Sequence, residues 1–325
     1  MAEATGDAGR FSIVTVHRNG AETLLRTLDA LAGAIDPQRD AVLVVDNGST
    51  DDSLARLRAA HPRVNIIENG CNLGYAGAVN RAVAAARSDY VLVLNNDAVV
   101  PPGLLERMAQ LFAAHPEAAV IGPLLVARDG APQRCFGVEP TVSGEAGLRR
   151  SERRRPPLPV AEVAPVDWIS GACMAVRRAA IDRDGSIDDG FFFYFEDVEW
   201  CVRLRRAGWR VLLDQNSRVV HEMGTSTKGV RRGAQIEQLR SRLRLYRRIF
   251  PPGTAVALGA WRIVRLAVNT AVWGVLAIAT LGLVRSVRER FLTYASQALW
   301  CLALMPNSWG LPDKCPAGRG RPARR

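Results

Sequence analysis

Four groups of residues in this sequence carry side chains suited to metal or acid–base chemistry: Asp46, Asp97, the pair Glu196-Asp197, and His221. Asp97 closes the run YVLVLNND (90–97), directly behind Asn95 and Asn96 and just ahead of Pro101-Pro102. A carboxylate beside amides can hold a divalent cation, which in turn clamps phosphate oxygens. The same residue types also make ordinary turns. Glu196 and Asp197 lie in FFFYFEDVEW (191–200), where aromatic neighbours would strip water from a carboxylate and raise its pKa toward that of a general base. Acids at a helix start are also favoured by the macrodipole, so the pair has a structural reading too. His221 could complete a metal site with Asp97 or serve only in packing.

These residues can meet only if the segments before them bring them to one edge. Tyr90–Leu94 is an apolar run fit for a strand buried on both faces, as in a parallel sheet covered by helices, and its carboxyl end is where ligands bind in open α/β sheets. FSIVTV (11–16), 41–45 and 64–68 read as further strands, 119–126 as a fifth, and 209–214 and 218–221 as two final short ones. Helical spacing over 21–35, over 78–87 and over 104–115 alternates with them. The expected architecture is therefore α/β, a mostly parallel sheet with right-handed crossovers, spanning residues 11–227 after a loose leader at 1–10. Residues 128–165, with Gly, Pro and five arginines at 149, 150, 153, 154 and 155, read as a long loop, either an acceptor-side flap or a disordered insertion.

Two common nucleotide devices are absent. The loop after the first strand is His17-Arg18-Asn19-Gly20, not GxGxxG, and no GxxxxGK[ST] sequence occurs. A nucleotide would have to be held by carboxylates and a metal. The six cysteines show no CxxC pair and are expected to be reduced, mostly buried thiols. The N-terminal MAEATGDAGR lacks the charged and apolar regions of a signal peptide, which points to a cytoplasmic catalytic part.

In order along the chain, VVDNGSTDDS (44–53), NLGYAGAVNRA (72–82), LVLNND (92–97), WISGACMAVRR (168–178), FFYFEDVEWCVRLRRAGWRV (192–211) and the His221 segment resemble the motifs of family 2 glycosyltransferases with the GT-A fold, within them the bacterial rhamnosyltransferase-like group. The resemblance covers roughly residues 11–250. It implies an inverting transfer of rhamnose or another hexose from a nucleotide diphosphate sugar to a lipid-linked or polysaccharide acceptor in cell-envelope glycan synthesis. It further implies that Thr15, His17, Asp46, Asn72, Gly74, Gly77, Asn95 and Asn96 bind the nucleotide sugar. Trp168 and Gly171 would face the acceptor, Asp97 and His221 would bind Mg²⁺ or Mn²⁺, and Asp197 would be the base with Glu196 beside it. TVHRN stands where many members have an aromatic residue and Asn, and Asn95 leaves one acidic DxD position.

Residues 228–325 form a different region, with 18 Lys/Arg against 3 Asp/Glu, net +15, while residues 1–227 are net −4. Ile236, Leu239, Leu243, Tyr246 and Phe250 fall on one helical face with arginines mostly elsewhere, a pattern suited to an anionic membrane surface. Arg262, Arg265 and Asn269 form a polar stripe on a second helix, and Leu266–Val284 is 19 residues without a charge. Surface or re-entrant helices on the cytoplasmic face of the membrane are expected, with a single span or a buried helical subdomain as the alternatives and residues 312–325 disordered. Arginines alternating with a continuous apolar face argue against a nucleic-acid partner. A nucleotidyltransferase, or a degenerate transferase acting as a glycan-binding or scaffold subunit, are the other readings open to the sequence.

Overall fold

The computed structural model describes residues 10–148, 158–222 and 229–316. The first half alternates strictly: β1 (Phe11–His17), α1 (Ala21–Ala32), β2 (Asp40–Asp46), α2 (Ser53–Ala60), β3 (Asn65–Glu68), α3 (Gly74–Ala85) and β4 (Tyr90–Asn95). These strands pair in parallel in the order β3-β2-β1-β4. Their β-branched runs are buried because helices cover both faces; Ile13, Val14, Val44, Val45 and Val91–Leu94 are excluded from solvent, and Leu24, Leu28 and Leu31 of α1 pack on them.

The second half adds β5 (Ala98–Val99), α4 (Leu104–Ala114), β6 (Ala118–Val126), β7 (Phe136–Gly137), α5 (Val142–Ala146), β8 (Val163–Pro165), β9 (Trp168–Ile169), β10 (Cys173–Arg177), α6 (Arg178–Asp184), α7 (Glu196–Arg206) and β11 (Arg210–His221). Here the sheet becomes mixed. β10 inserts antiparallel between β4 and β6, so the loop before it runs beside the end of β4, and the Asn95 amide donates to the Ala172 carbonyl at 2.9 Å. β11 pairs in parallel with β6 and antiparallel with β5, setting His221 opposite Ala98. Two chain crossings thus deliver the 171 loop and His221 to the edge where Asp97 sits.

The two expected final strands are one strand with an irregularity between Asp214 and Arg218. The buried Asp214 carboxylate takes the Ser217 hydroxyl at 2.6 Å and Arg107 at 3.3 Å, which satisfies the polar groups of the bulge without ending the strand. The expected loop at 128–165 contains β7, α5 and β8 within its described parts; its five arginines lie outside the described residues, as does most of the leader.

The C-terminal region is α8 (Arg231–Ile249), α9 (Pro252–Ala279) and α10 (Arg285–Leu302). α8 departs from the expectation of a lipid-facing helix. Its apolar side is covered by protein, with Ile236 and Leu239 against Leu266 and Trp300 and with Leu245 and Ile249 in the main core. Four of its arginines are taken by acids: Arg242 pairs with Glu145, Arg244 and Arg248 with Asp188, and Arg240 with Glu237. An amphipathic pattern states only that one face is covered, and here the cover is the catalytic domain on one part of the face and α9 and α10 on another. The exposed apolar surface lies on α9 and α10 instead, including Val256, Val264, Val268, Val272, Val275, Ile278 and Leu302.

The cysteine expectation is corrected at one pair. Cys71 and Cys315 form a disulfide joining the loop before α3 to the C-terminal segment, while Cys135, Cys173 and Cys201 are free and buried. Residues 312–316, expected to be disordered, are placed, and run beside Asn72; residues 317–325 lie outside the described part.

Candidate active site

The site is built at the carboxyl ends of β1, β2 and β4. After β4, Asn95, Asn96 and Asp97 turn toward β11, and the Asp97 Oδ1 lies 3.2 Å from His221 Nε2. Asn95 Nδ2 is 3.3 Å from the same nitrogen. The other ring nitrogen, Nδ1, is 2.9 Å from Gln133 Oε1, and the Gln133 amide also donates to the His221 carbonyl at 2.7 Å. Since Gln133 Oε1 can only accept, it places the imidazole proton on Nδ1 and leaves the Nε2 lone pair toward Asp97. A buried carboxylate beside an imidazole nitrogen held as a lone pair fits a divalent cation as two protein ligands. No cluster of three His, Cys, Asp or Glu ligands occurs among the described residues, so the remaining positions would fall to substrate oxygens and water.

On one side of this pair is a narrow cavity of about 150 Å³ lined by His17, Asn47, Asn72, Gly74, Asn95 and Asn96, among others. Asn47 fixes its floor. Its side-chain amide donates to Asn72 Oδ1 at 2.9 Å and to the Gly74 carbonyl at 3.1 Å, and its oxygen accepts the Leu73 amide at 2.9 Å. Gly74 has φ +77, and a Cβ there would fall 2.5 Å from the Phe192 carbonyl oxygen. Only glycine permits that approach. His17 Nδ1 lies 3.2 Å from the Asn96 side-chain nitrogen, a donor, which leaves the proton on Nε2. Burial pushes the His17 pKa down, against the pull of Asp46 and Asp51. Its Nε2 is buried with no hydrogen-bond partner among the described residues, a donor available to a ligand.

Three residues expected here do not reach the cavity. Thr15 is fully buried within β1, between β2 and β4. Asp46 folds back to accept the Gly48 and Ser49 amides at 3.2–3.3 Å, shaping the loop rather than facing the space. Gly77 is the second turn of α3, where a Cβ would meet Leu73 Cβ at 3.2 Å.

The outer wall of this cavity comes from Leu311 and Pro312 of the C-terminal segment. That segment pairs with Asn72 through its backbone: the Asn72 amide donates to the Asp313 carbonyl at 3.2 Å and the Cys315 amide to the Asn72 carbonyl at 3.0 Å. Asp313 also pairs with Arg18. Nothing in residue type at 311–315 signals such a contact, since it joins positions more than 200 apart in sequence.

On the other side lies a larger chamber of about 510 Å³, lined by Trp168, Ser170, Tyr194, Phe195, Asp197 and Arg242 among others. Trp168 is held by a bond from its indole nitrogen to the Val138 carbonyl at 3.0 Å. Asp197 is the second residue of α7, whose first residue, Glu196, directly follows two aromatic residues with left-handed backbone, Tyr194 at φ 71 and Phe195 at φ 67. Such conformations cost on the order of 1–3 kcal/mol each and persist where the surroundings over-determine them. Their effect here is to turn the chain so that Asp197 enters the chamber. Its carboxylate accepts the Gly171 amide at 3.0 Å and the Val198 amide at 2.8 Å. Burial raises its pKa despite those two bonds. Glu196 is buried and does not line the chamber, and burial with the nearby Asp197 charge pushes it up to about 8.

The two spaces are joined by one residue. Tyr75 lines the narrow cavity, and its hydroxyl lies 3.1 Å from Asn95 Oδ1 and 2.8 Å from the Gly171 carbonyl. A chain of contacts therefore runs Asn95–Tyr75–Gly171–Asp197. Tyr75, Gln133 and Asn47 carry this geometry, yet the sequence singled out none of them; amide and phenol groups have no spacing signature.

The model described as Glycosyl transferase family 2 matches residues 12–184, from β1 through α6. The chain belongs to that family. Among curated relatives, the glycosyltransferase is 32% identical over 213 residues to the N-acetylglucosaminyl-diphospho-decaprenol L-rhamnosyltransferase of Mycobacterium tuberculosis, covering 58% of this chain and 68% of that protein. It is 29% identical over 203 residues to the low-salt glycan biosynthesis hexosyltransferase Agl10 of Haloferax volcanii, covering 60% and 61%. Among solved structures, the mannosyltransferase PcManGT from Pyrobaculum calidifontis, in complex with GDP-Man and Mn²⁺, superposes with TM-score 0.52 at 17% identity over 90% of this chain and 87% of that one. GalNAc-T7 with UDP, GalNAc and Mn²⁺ gives TM-score 0.52 at 17% identity, covering 66% and 44%. At these identities the structural likeness establishes the fold, which is GT-A.

Proposed function

We propose that this glycosyltransferase moves a hexose, rhamnose being the first candidate, from a nucleotide diphosphate sugar to a hydroxyl of a lipid-linked acceptor in cell-envelope glycan synthesis, with inversion at the anomeric carbon. The observation that carries this reading is the contact chain Asn95–Tyr75–Gly171–Asp197, which joins a metal-type pair on one side to a half-buried carboxylate in a separate chamber on the other. Displacement by an acceptor hydroxyl needs this arrangement: donor and acceptor enter from different sides and meet where the base stands.

In this reading the donor occupies the cavity at His17, Asn72, Gly74, Asn95 and Asn96, where His17 Nε2 offers a donor and Gly74 allows close backbone approach. Asp97 and His221 would hold Mg²⁺ or Mn²⁺, which supplies charge stabilisation for the departing nucleoside diphosphate. Asp197 takes the proton from the acceptor hydroxyl. Its raised pKa favours that transfer, and the Gly171 amide fixes the carboxylate so that Oδ1 and Oδ2 are not free to rotate away. Glu196 stays protonated at neutral pH, which keeps a second negative charge from forming beside Asp197.

Membrane association belongs to this proposal. α9 is the helix among the described residues that is long and apolar enough to cross a bilayer, and 6% of its most apolar window is buried in the protein. With α8 committed to the catalytic domain, α9 and α10 supply the surface for the cytoplasmic face of the membrane. Nucleotide sugars screened for thermal stabilisation with and without Mn²⁺, then for transfer with the best binder, test the reading. Metal-dependent stabilisation by at least one donor is expected. Stabilisation by none with the metal present would contradict it, and binding without turnover on any acceptor would favour a degenerate, glycan-binding role.

A further inference from the structure

The stripe Arg262, Arg265 and Asn269 is not used by the chemistry above, and the fold gives it a setting. On α9 these residues stand at i, i+3 and i+7, and they face Gln238 and Arg242, an i, i+4 pair on α8. Between α8, α9 and α10 they line a cavity of about 200 Å³ whose only charged lining groups, among the described residues, are Arg242, Arg262 and Arg265. This cavity shares Gln238, Arg242 and Arg262 with the chamber that contains Asp197, and shares no lining residue with the donor-side cavity.

Among the described residues, positive charge is in excess here. Arg242 and Arg262 both reach Glu145 of α5 at 2.8 Å, so one carboxylate serves two guanidinium groups, and Arg265 is a third. Like charges held close together repel, and an anion placed among Arg242, Arg262 and Arg265 relieves that repulsion. Guanidinium forks match phosphate oxygens two at a time, and the Gln and Asn amides add neutral donors. Beyond Asn269, α9 exposes Val272, Val275 and Ile278. The order along the molecule is thus carboxylate, anion site, apolar surface.

We propose that the cavity between α8, α9 and α10 binds the diphosphate of a lipid-linked acceptor, with the attached sugar extending into the chamber toward Asp197 and the lipid leaving along α9. This rests on the reading of that chamber as the acceptor side.

Equilibrium binding to the full-length protein in detergent micelles tests the assignment, using farnesyl diphosphate, farnesyl monophosphate, farnesol and inorganic pyrophosphate as probes. Farnesyl diphosphate is expected to bind at least about tenfold more tightly than farnesol, and Arg265→Gln to lose at least about tenfold of that affinity, the scale of one charged hydrogen-bonding partner. Gln238→Glu, which introduces a carboxylate, is expected to lose as much, and thermal denaturation of both variants reports that they fold. Equal affinity for farnesol and farnesyl diphosphate, or unchanged binding in both variants, would overturn the proposal. Pyrophosphate binding as tightly as farnesyl diphosphate would mark a site for a free anion and overturn the lipid-linked assignment. Metal-dependent donor binding is measured on the same proteins. Retained donor binding in Arg265→Gln separates loss of this site from failure of the glycosyltransferase reading, because the donor cavity shares none of its residues.

Discussion

The Gly171 amide donates to the Asp197 carboxylate at 3.0 Å, and the carbonyl of the same glycine lies 2.8 Å from the Tyr75 hydroxyl. One residue, Gly171, therefore ties the candidate base to the candidate donor site through its amide and its carbonyl. Phenylalanine at position 75 keeps the ring and removes the tie. Tyr75→Phe is expected to slow transfer by about tenfold or more, as misplacement of reacting groups does, while donor affinity changes by less than about threefold. Steady-state kinetics with donor titration check it; an equal loss in donor affinity and no loss in turnover would place Tyr75 in donor binding alone.

Gln133 orients His221 from a segment that the sequence left open between an acceptor-side flap and a disordered insertion. Gln133→Leu removes both the acceptor on Nδ1 and the bond to the His221 carbonyl. Loss of such an outer partner typically lowers metal affinity by about 10–100-fold. The expected outcome is a shift of that order in the Mn²⁺ concentration that half-saturates donor binding, measured by calorimetry, with the fold intact by circular dichroism.

Glu196 sets a pH dependence of stability. Its pKa rises from the ordinary carboxylate range when unfolded to about 8 when folded, mainly through burial and then through Asp197. A raised folded-state pKa means the folded protein holds its proton more tightly, so this contribution is complete below the unfolded value and is lost as pH rises through about 8. Glu196→Gln keeps the shape and cannot ionise. Its melting temperature relative to the parent is expected to increase between pH 5 and pH 8.5 in scanning calorimetry. A constant difference across that range would show that Glu196 ionises normally.

Gly74→Ala tests the close approach at the donor cavity. The positive φ and the contact with the Phe192 carbonyl act together, and a loss of about 2 kcal/mol or more is expected in urea denaturation, with donor binding weakened in the same variant. Alanine at full stability would mean that the segment at 192 moves away freely.

The C-terminal segment gives a prediction of opposite sign for binding and stability. With Leu311 and Pro312 in place the donor cavity is about 150 Å³, below the roughly 300–1,000 Å³ of typical small-molecule sites. Reduction of Cys71–Cys315, or Cys315→Ser, is expected to lower stability by about 2–5 kcal/mol while speeding donor binding, measured by stopped flow. Slower or weaker donor binding after reduction would make the segment part of the donor site.

How far the sequence could be read follows from the range of each signal. β1 through β4, with α1 and α3, were legible because burial on both strand faces writes itself into runs such as VLVL, and the parallel direction of those strands follows from their alternation with helices. The pairing of Asp97 with His221 was also anticipated, since both end strands. Three things were not legible. Thr15 and Asp46 match a motif by position, but side-chain direction on β1 and loop closure after β2 turn them away from the cavity. The arginines of α8 look alike whether they face lipid or Asp188 and Glu145, because periodicity reports a face and not its cover. The disulfide and the wall at Leu311-Pro312 join segments separated by 244 positions, for which local pattern carries no information.

Asp197→Asn bears most directly on the central claim. The amide oxygen of Asn can still accept the Gly171 amide, so the tie to that loop is kept while the base, and with it the second bond from the Val198 amide, is removed. With the donor and acceptor pair that the parent protein turns over best, single-turnover transfer by Asp197→Asn is expected to fall by about 10²–10⁴-fold, with donor affinity unchanged within about threefold. Transfer at near the parental rate by a folded Asp197→Asn protein would contradict the assignment of Asp197 as the group that activates the acceptor.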